Sequence, residues 1–178
     1  MTDRNLYRIG ALPGFTPLIG RLVAMMDYVR KTTLDAVAGL TAAELDYLHD
    51  ARSNSIGALL FHVAAVELWY QAHTFEGREL DAEEMREWGA GLDLGEAARR
   101  EIRGHGLEDY VGRLIRVRER TLGELARRDD AWLEAEAPLG EGRPANNHFK
   151  WFHVFEDELN HRGQIRWLRR RAEDTARA

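Results

Sequence analysis

The chain has 178 residues with 30 acidic against 25 basic side chains, a formal net charge of −5, which argues against a surface built to displace phosphate counterions and so against a nucleic-acid partner. Hydrophobic residues at 44% and charged residues at 31% are the proportions of a globular domain, far from those of a disordered chain. The absence of cysteine excludes a disulfide framework, a thiolate zinc site and a cysteine nucleophile, so any thiol chemistry must use an external thiol.

At this length one domain over residues 1–178 is expected, burying roughly two-thirds of its unfolded surface without a metal or disulfide to hold it together. A metal in such a chain would serve function rather than folding. The opening Met1-Thr-Asp-Arg-Asn5 has no basic segment followed by an apolar stretch, and no run approaches the ~20 apolar residues that span a bilayer. The expectation is a cytoplasmic protein with no membrane partner.

In chain order, Thr16-Pro17 reads as an N-cap with proline at the first helical position, and Leu18, Ile19, Leu22, Val23, Met26 and Val29 recur at helical spacing. This first helix is predicted to end near Gly39. Thr41-Ala-Ala-Glu44 has the capping-box pattern, and the polar Asp50-Ala-Arg-Ser-Asn54 leads into a second long helix that starts after Asn54 or Ser55 and runs to about Gly77. Its broad apolar surface, from Ile56 to Tyr70, implies deep packing.

Residues 78–106 are charged and punctuated by glycine, with short helices predicted around Ala82–Trp88 and Leu94–Arg103, and they read as a crossover. A third long helix runs from Leu107 to about Asp129. Residues 130–144, with Pro138-Leu-Gly-Glu-Gly-Arg-Pro144, read as a loop or small turn. The fourth helix starts near Asn146, and Arg169-Arg170-Arg171 are predicted to close it where positive charge favours the carbonyl end of the dipole. No internal repeat and no useful strand alternation is visible, so the predicted fold class is all-α, a four-helix bundle.

The fourth helix holds His153-Val-Phe-Glu-Asp157-Glu-Leu-Asn-His161-Arg-Gly-Gln164. Positions i, i+4 and i+8 turn only ~40° per step with ~6 Å between turns, so His153, Asp157 and His161 project along one stripe and neighbours can share one ion. His62, a lone imidazole on the apolar second helix, is the obvious third ligand for Asp157 and His161. Such a set would leave coordination positions open, as catalytic sites do. The plainer reading makes His62 a buried histidine satisfied by a neighbour and Asp157 with His161 a local ion pair; spacing leaves both open.

Ser55-Ile-Gly-Ala-Leu-Leu-Phe-His62, Glu67 and the His153-x-x-x-Asp157-x-x-x-His161-Arg-Gly-Gln164 run together resemble the DinB-like superfamily, over nearly the whole chain. The resemblance implies an up-down-down-up bundle with a long connection between helices two and three. It also implies a homodimer and a divalent metal near one end of the bundle, bound by one ligand from helix two and two from helix four, here His62, Asp157 and His161. The family's usual pattern is three histidines, and Asp157 stands where the first of the late pair is expected. A carboxylate there resembles the related thiol-dependent maleylpyruvate isomerases, which have a glutamate in that slot. Zinc suits two imidazoles and a carboxylate; manganese, iron and nickel stay open.

Around this set, His153 is left open as a further ligand, a proton carrier or a pocket cap. Glu67, about 140° around the helix from His62, is expected to pair across the bundle rather than bind the same ion. Gln164 and Arg162 could orient a ligand or act as surface or capping groups. Among Trp69, Tyr70, Phe149, Trp151, Phe152, Phe155 and Trp167, most are assigned to the core, whereas His49, His73, His105 and His148 are left as surface or loop residues.

The leading functional expectation is a metal-dependent enzyme that activates an external low-molecular-weight thiol for S-transfer to a small electrophile. The rivals are a metal-dependent hydrolase using activated water and a non-catalytic, stress-associated binding or scaffold dimer. Nothing in the chain resembles a polymerase: it is short and acidic and has no glycine motif that cradles a nucleotide.

Overall fold

An apolar start and a fixed proline φ launch the first long helix, α1 (Pro17–Val37). The computed structural model, which describes residues 6–139 and 142–177, places three further long helices with it: α3 (Ile56–Gln71), α6 (Leu107–Leu125) and α8 (Asn147–Arg177). The amino-terminal Met1–Asn5, and Gly140 and Glu141 of the expected loop, lie outside the described residues. Among the described residues there are also four shorter α-helices: α2 (Ala42–Leu45), α4 (Ala82–Asp93), α5 (Gly95–Glu101) and α7 (Asp130–Glu134). No helix among the described residues is long and apolar enough to cross a membrane.

Side-chain pairings give the direction of each helix. Arg30 meets Glu158 and Arg169 meets the Ala36 carbonyl, so α1 and α8 run parallel. Gly57 lies against Tyr110, and Glu67 pairs with Arg118, so α3 and α6 are parallel too. By contrast, His62 faces Asp157 while Thr74 takes the Trp151 indole N–H, which sets α3 antiparallel to α8. Arg30 reaches the Leu114 carbonyl and Arg118 the Met26 carbonyl, which sets α1 antiparallel to α6. This is the up-down-down-up bundle expected of the sequence, with residues 78–106 as the crossover.

Local chemistry places the ends. Thr41 and Glu44 form the reciprocal capping box around α2, and the Ser55 hydroxyl accepts from Ala58 N–H to start α3. The last turn of that helix widens into a π-turn, Ala72–Glu76, that Gly77 ends at φ 65°. In the crossover, α4 packs on α3 with Trp88 against Phe61, ring centroids 5.1 Å apart. Asn54, just before α3, accepts from Gly95 N–H at the break between α4 and α5.

Three expectations need correction. Residues 130–144 are not simply a loop: α7 is followed by an antiparallel hairpin, β1 (Glu136–Leu139) with β2 (Arg143–Asn146), too short to show as sequence alternation. Arg169-Arg170-Arg171 do not close α8, which continues to Arg177; Arg169 instead donates to the Ala36 and Ala38 carbonyls at the end of α1. Thr16 makes no side-chain cap of its own; Asp130 of α7 accepts from its hydroxyl and from the Leu18 and Ile19 N–H groups.

The core forms two apolar clusters. One gathers Leu59, Leu60 and Val63 with Trp88, Leu114 and Ile165; the other gathers Ile19, Leu22 and Met26 with Leu125 and Trp151. Four buried charges, Arg30, Glu67, Arg118 and Glu158, fall between the two clusters on all four long helices.

Candidate metal centre

The seam between α3 and α8 brings His62, Asp157 and His161 together, so that one ligand atom from each lies within 4.8 Å of the others. Two of the three come from successive turns of α8, as the i, i+4 spacing requires. His62 Nε2 lies 3.4 Å from Asp157 Oδ2, and His161 Nε2 lies 3.3 Å from Asp157 Oδ1. The two imidazoles meet nearly at right angles, centroids 4.7 Å apart.

The tautomer of His62 follows from its other nitrogen. Nδ1 lies 2.8 Å from the Gly91 carbonyl, and a carbonyl only accepts, so Nδ1 holds a proton and Nε2 is the nitrogen left to present a lone pair whenever the ring is neutral. This carbonyl arrives because α4 packs unusually close: a Cβ at position 91 would sit 2.4 Å from Phe61 Cδ1. Glycine is therefore required where the crossover touches the site. Nothing in the sequence signals this role, since a backbone acceptor leaves no mark in residue type.

Burial pushes the Asp157 carboxyl up, but the adjacent His161 and His62 imidazoles more than offset this and hold it well below the usual carboxylate range. Asp157 is thus an anion at neutral pH. Its Oδ2 and the Nδ1 of His161 are buried without a hydrogen-bond partner, an arrangement that costs free energy if left unmet. A lone pair on His62 and a carboxylate oxygen face each other across 3.4 Å unless a positive charge, a proton or a metal ion, stands between them. Two imidazoles and one carboxylate are a donor set that fits a borderline divalent ion.

The neighbours sort differently. His153 is not in the cluster; its Nδ1 lies 3.1 Å from Glu156 and 42% of its side chain is exposed. Glu67 pairs with Arg30 and Arg118 across the bundle, as expected. Arg162 donates to Thr32 on α1, while Gln164 is exposed and lines an open concavity of about 460 Å³ with Asn54, Asn160 and Trp167. Tyr70, Trp151 and Phe155 are core residues, but Phe149, Phe152 and Trp167 are exposed, which corrects part of the aromatic assignment. Tyr70 is close enough to feel Asp157: burial and that negative charge push its hydroxyl up to about 12.

Residues 21–174 match the family described as mycothiol-S-transferase. The chain belongs to that family. The mycothiol-S-transferase family is DinB-like, so the resemblance noted in the sequence holds over most of the chain and places it among thiol S-transferases. The fold is shared with a protein from Enterococcus faecalis, described as "the conserved protein of locus", at a TM-score of 0.65 and 15% identity, covering 84% of this chain and 93% of that one. At such identity the likeness is one of fold. No curated protein matches the chain.

Proposed function

We propose that this member of the mycothiol-S-transferase family moves the sulfur of an external low-molecular-weight thiol onto a small electrophile, with a divalent ion, zinc first, held by His62, Asp157 and His161. The supporting observation is the pair of acceptor atoms, His62 Nε2 and Asp157 Oδ2, held 3.4 Å apart while the other His62 nitrogen is committed to the Gly91 carbonyl. A bound ion of this kind supplies Lewis acidity that lowers the pKa of a thiol at neutral pH. In the transfer a carbon–sulfur bond forms as the electrophile's leaving-group bond breaks, and the thiol proton departs to solvent.

The chain's own groups have defined parts in this reading. Gly91 fixes the His62 ring, Asp157 supplies the negative charge, and Tyr70, protonated throughout the neutral range, supplies a hydroxyl beside Asp157 without competing for the cation. The concavity by Asn160 and Gln164, which flank His161 in sequence, offers space for the remainder of the thiol. The absence of any cysteine is met because the sulfur comes from the substrate. A cytoplasmic homodimer belongs to the same proposal, and sedimentation would read the assembly.

Elemental mass spectrometry of untagged wild type, His62→Ala and Asp157→Ala tests the centre. Near-stoichiometric metal in the wild type and its loss in both variants is the expected outcome. Wild type that stays empty after incubation with zinc, manganese and nickel would overturn it in favour of a non-catalytic protein. Turnover of esters or amides without added thiol would favour hydrolysis instead.

A further inference from the structure

Between the two apolar clusters lies a closed layer of four charges, one from each long helix. Glu67 of α3 and Glu158 of α8 are fully buried, and Arg30 of α1 and Arg118 of α6 are 7% and 6% exposed. Arg30 places Nε 2.9 Å from Glu158 Oε1 and Nη2 2.9 Å from Glu67 Oε2 and 3.1 Å from Glu158 Oε2. Arg118 answers with Nε 2.7 Å from Glu67 Oε1 and Nη2 3.1 Å from Glu67 Oε2 and 3.5 Å from Glu158 Oε2. Each arginine therefore bridges both carboxylates.

The remaining donors make the layer reciprocal. Arg30 Nη1 donates to the Leu114 carbonyl at 2.7 Å and Arg118 Nη1 to the Met26 carbonyl at 3.1 Å. Each target lies four residues before the opposite arginine, so α1 and α6 exchange equivalent bonds across the bundle axis. Two positive and two negative charges cancel, and every guanidinium nitrogen of both arginines has an acceptor, the condition under which buried charge is tolerated.

Two members of the layer also come from the same stretches of helix as the candidate ligands. Glu158 follows Asp157 in sequence and precedes His161 by three residues; Glu67 follows His62 by five. The two carboxylates thus come from the two helices that meet at the site, and both arginines pull them toward one point. We infer that Arg30 and Arg118 are positioning residues of the metal site: by clamping Glu67 to Glu158 they fix the separation of α3 and α8, across which His62 meets Asp157 and His161. This rests on the reading of those three residues as metal ligands.

Lysine at either arginine position keeps the charge but loses the planar fork that reaches two carboxylates and a carbonyl at once. Arg30→Lys and Arg118→Lys separate this role from simple support of the fold when compared with Leu125→Ala, a cavity in the other cluster, two turns along α6 from Arg118. Metal-free full-length proteins are titrated with cobalt(II) against a competing chelator, with the visible spectrum of the bound ion and the melting temperature recorded. Both lysine variants are expected to lose tenfold or more in cobalt(II) affinity and to shift the band, whereas Leu125→Ala at comparable melting loss keeps both. The reciprocal geometry requires the two lysine variants to act alike.

Wild-type affinity and spectrum in both lysine variants would overturn the inference, as would an equal loss in Leu125→Ala. Should either lysine variant fail to fold, Glu67→Gln, which retains one oxygen acceptor, is read the same way. A wild type that binds no cobalt(II) would instead sink the underlying metal reading.

Discussion

At the scale of single residues, Gly91 decides whether His62 can face a cation. Its carbonyl holds the His62 Nδ1 proton, and its missing side chain lets α4 lie against Phe61. Gly91→Ala places a carbon where Phe61 already is, so overpacking is expected to cost about 1–3 kcal/mol and loss of the carbonyl contact about 10- to 100-fold in metal affinity. Calorimetric melting and a zinc titration check the two effects; unchanged zinc affinity in a destabilised variant would detach Gly91 from the site. The three candidate ligands were legible because helical spacing puts Asp157 and His161 on successive turns and because His62 breaks an apolar surface. Gly91 was not, since what it contributes is a backbone oxygen and an absent side chain.

At the scale of elements, the long helices follow from apolar periodicity, and their boundaries from caps visible in the sequence, Ser55 and the Thr41–Glu44 box among them. Ser55→Ala removes the acceptor for Ala58 N–H and is expected to cost about 1 kcal/mol, read as a lower urea midpoint with unchanged denaturant slope. The helix ends that leave no local sign have distant partners. The start of α1 is satisfied by Asp130, more than a hundred residues away, and Arg169 satisfies carbonyls of α1 rather than of its own helix. Local propensity cannot announce such bonds. Asp130→Ala should lower the melting temperature while leaving metal content at the wild-type level, because α7 packs on α1 and on the start of α8 at Asn147, well before the turns that carry Asp157 and His161; a loss of metal would contradict that separation.

At the scale of the whole molecule, the layer of four charges predicts how the bundle responds to acid. Burial alone would push Glu67 up, but the Arg118 and Arg30 guanidiniums outweigh it and hold the carboxyl at about 2 against an ordinary 4.5. Above pH 4.5 the carboxyl is charged in both folded and unfolded chains, and its full contribution to stability is present. As pH falls from 4.5 toward 2 the unfolded chain takes up a proton that the folded one refuses, and that contribution, about 3 kcal/mol, is progressively lost. Urea unfolding of metal-free protein across this range follows the effect, and comparison with Glu67→Gln separates it from Asp157, whose lowered carboxyl adds acid sensitivity to both proteins alike. Glu67→Gln should be less stable at pH 7 by about 3–5 kcal/mol, since it breaks a buried pair and leaves arginine charge uncompensated. Its stability should also fall less steeply than the wild type's between pH 4.5 and 2. Parallel pH profiles for the two proteins would place the acid sensitivity elsewhere and make the layer a passive filler between the apolar clusters.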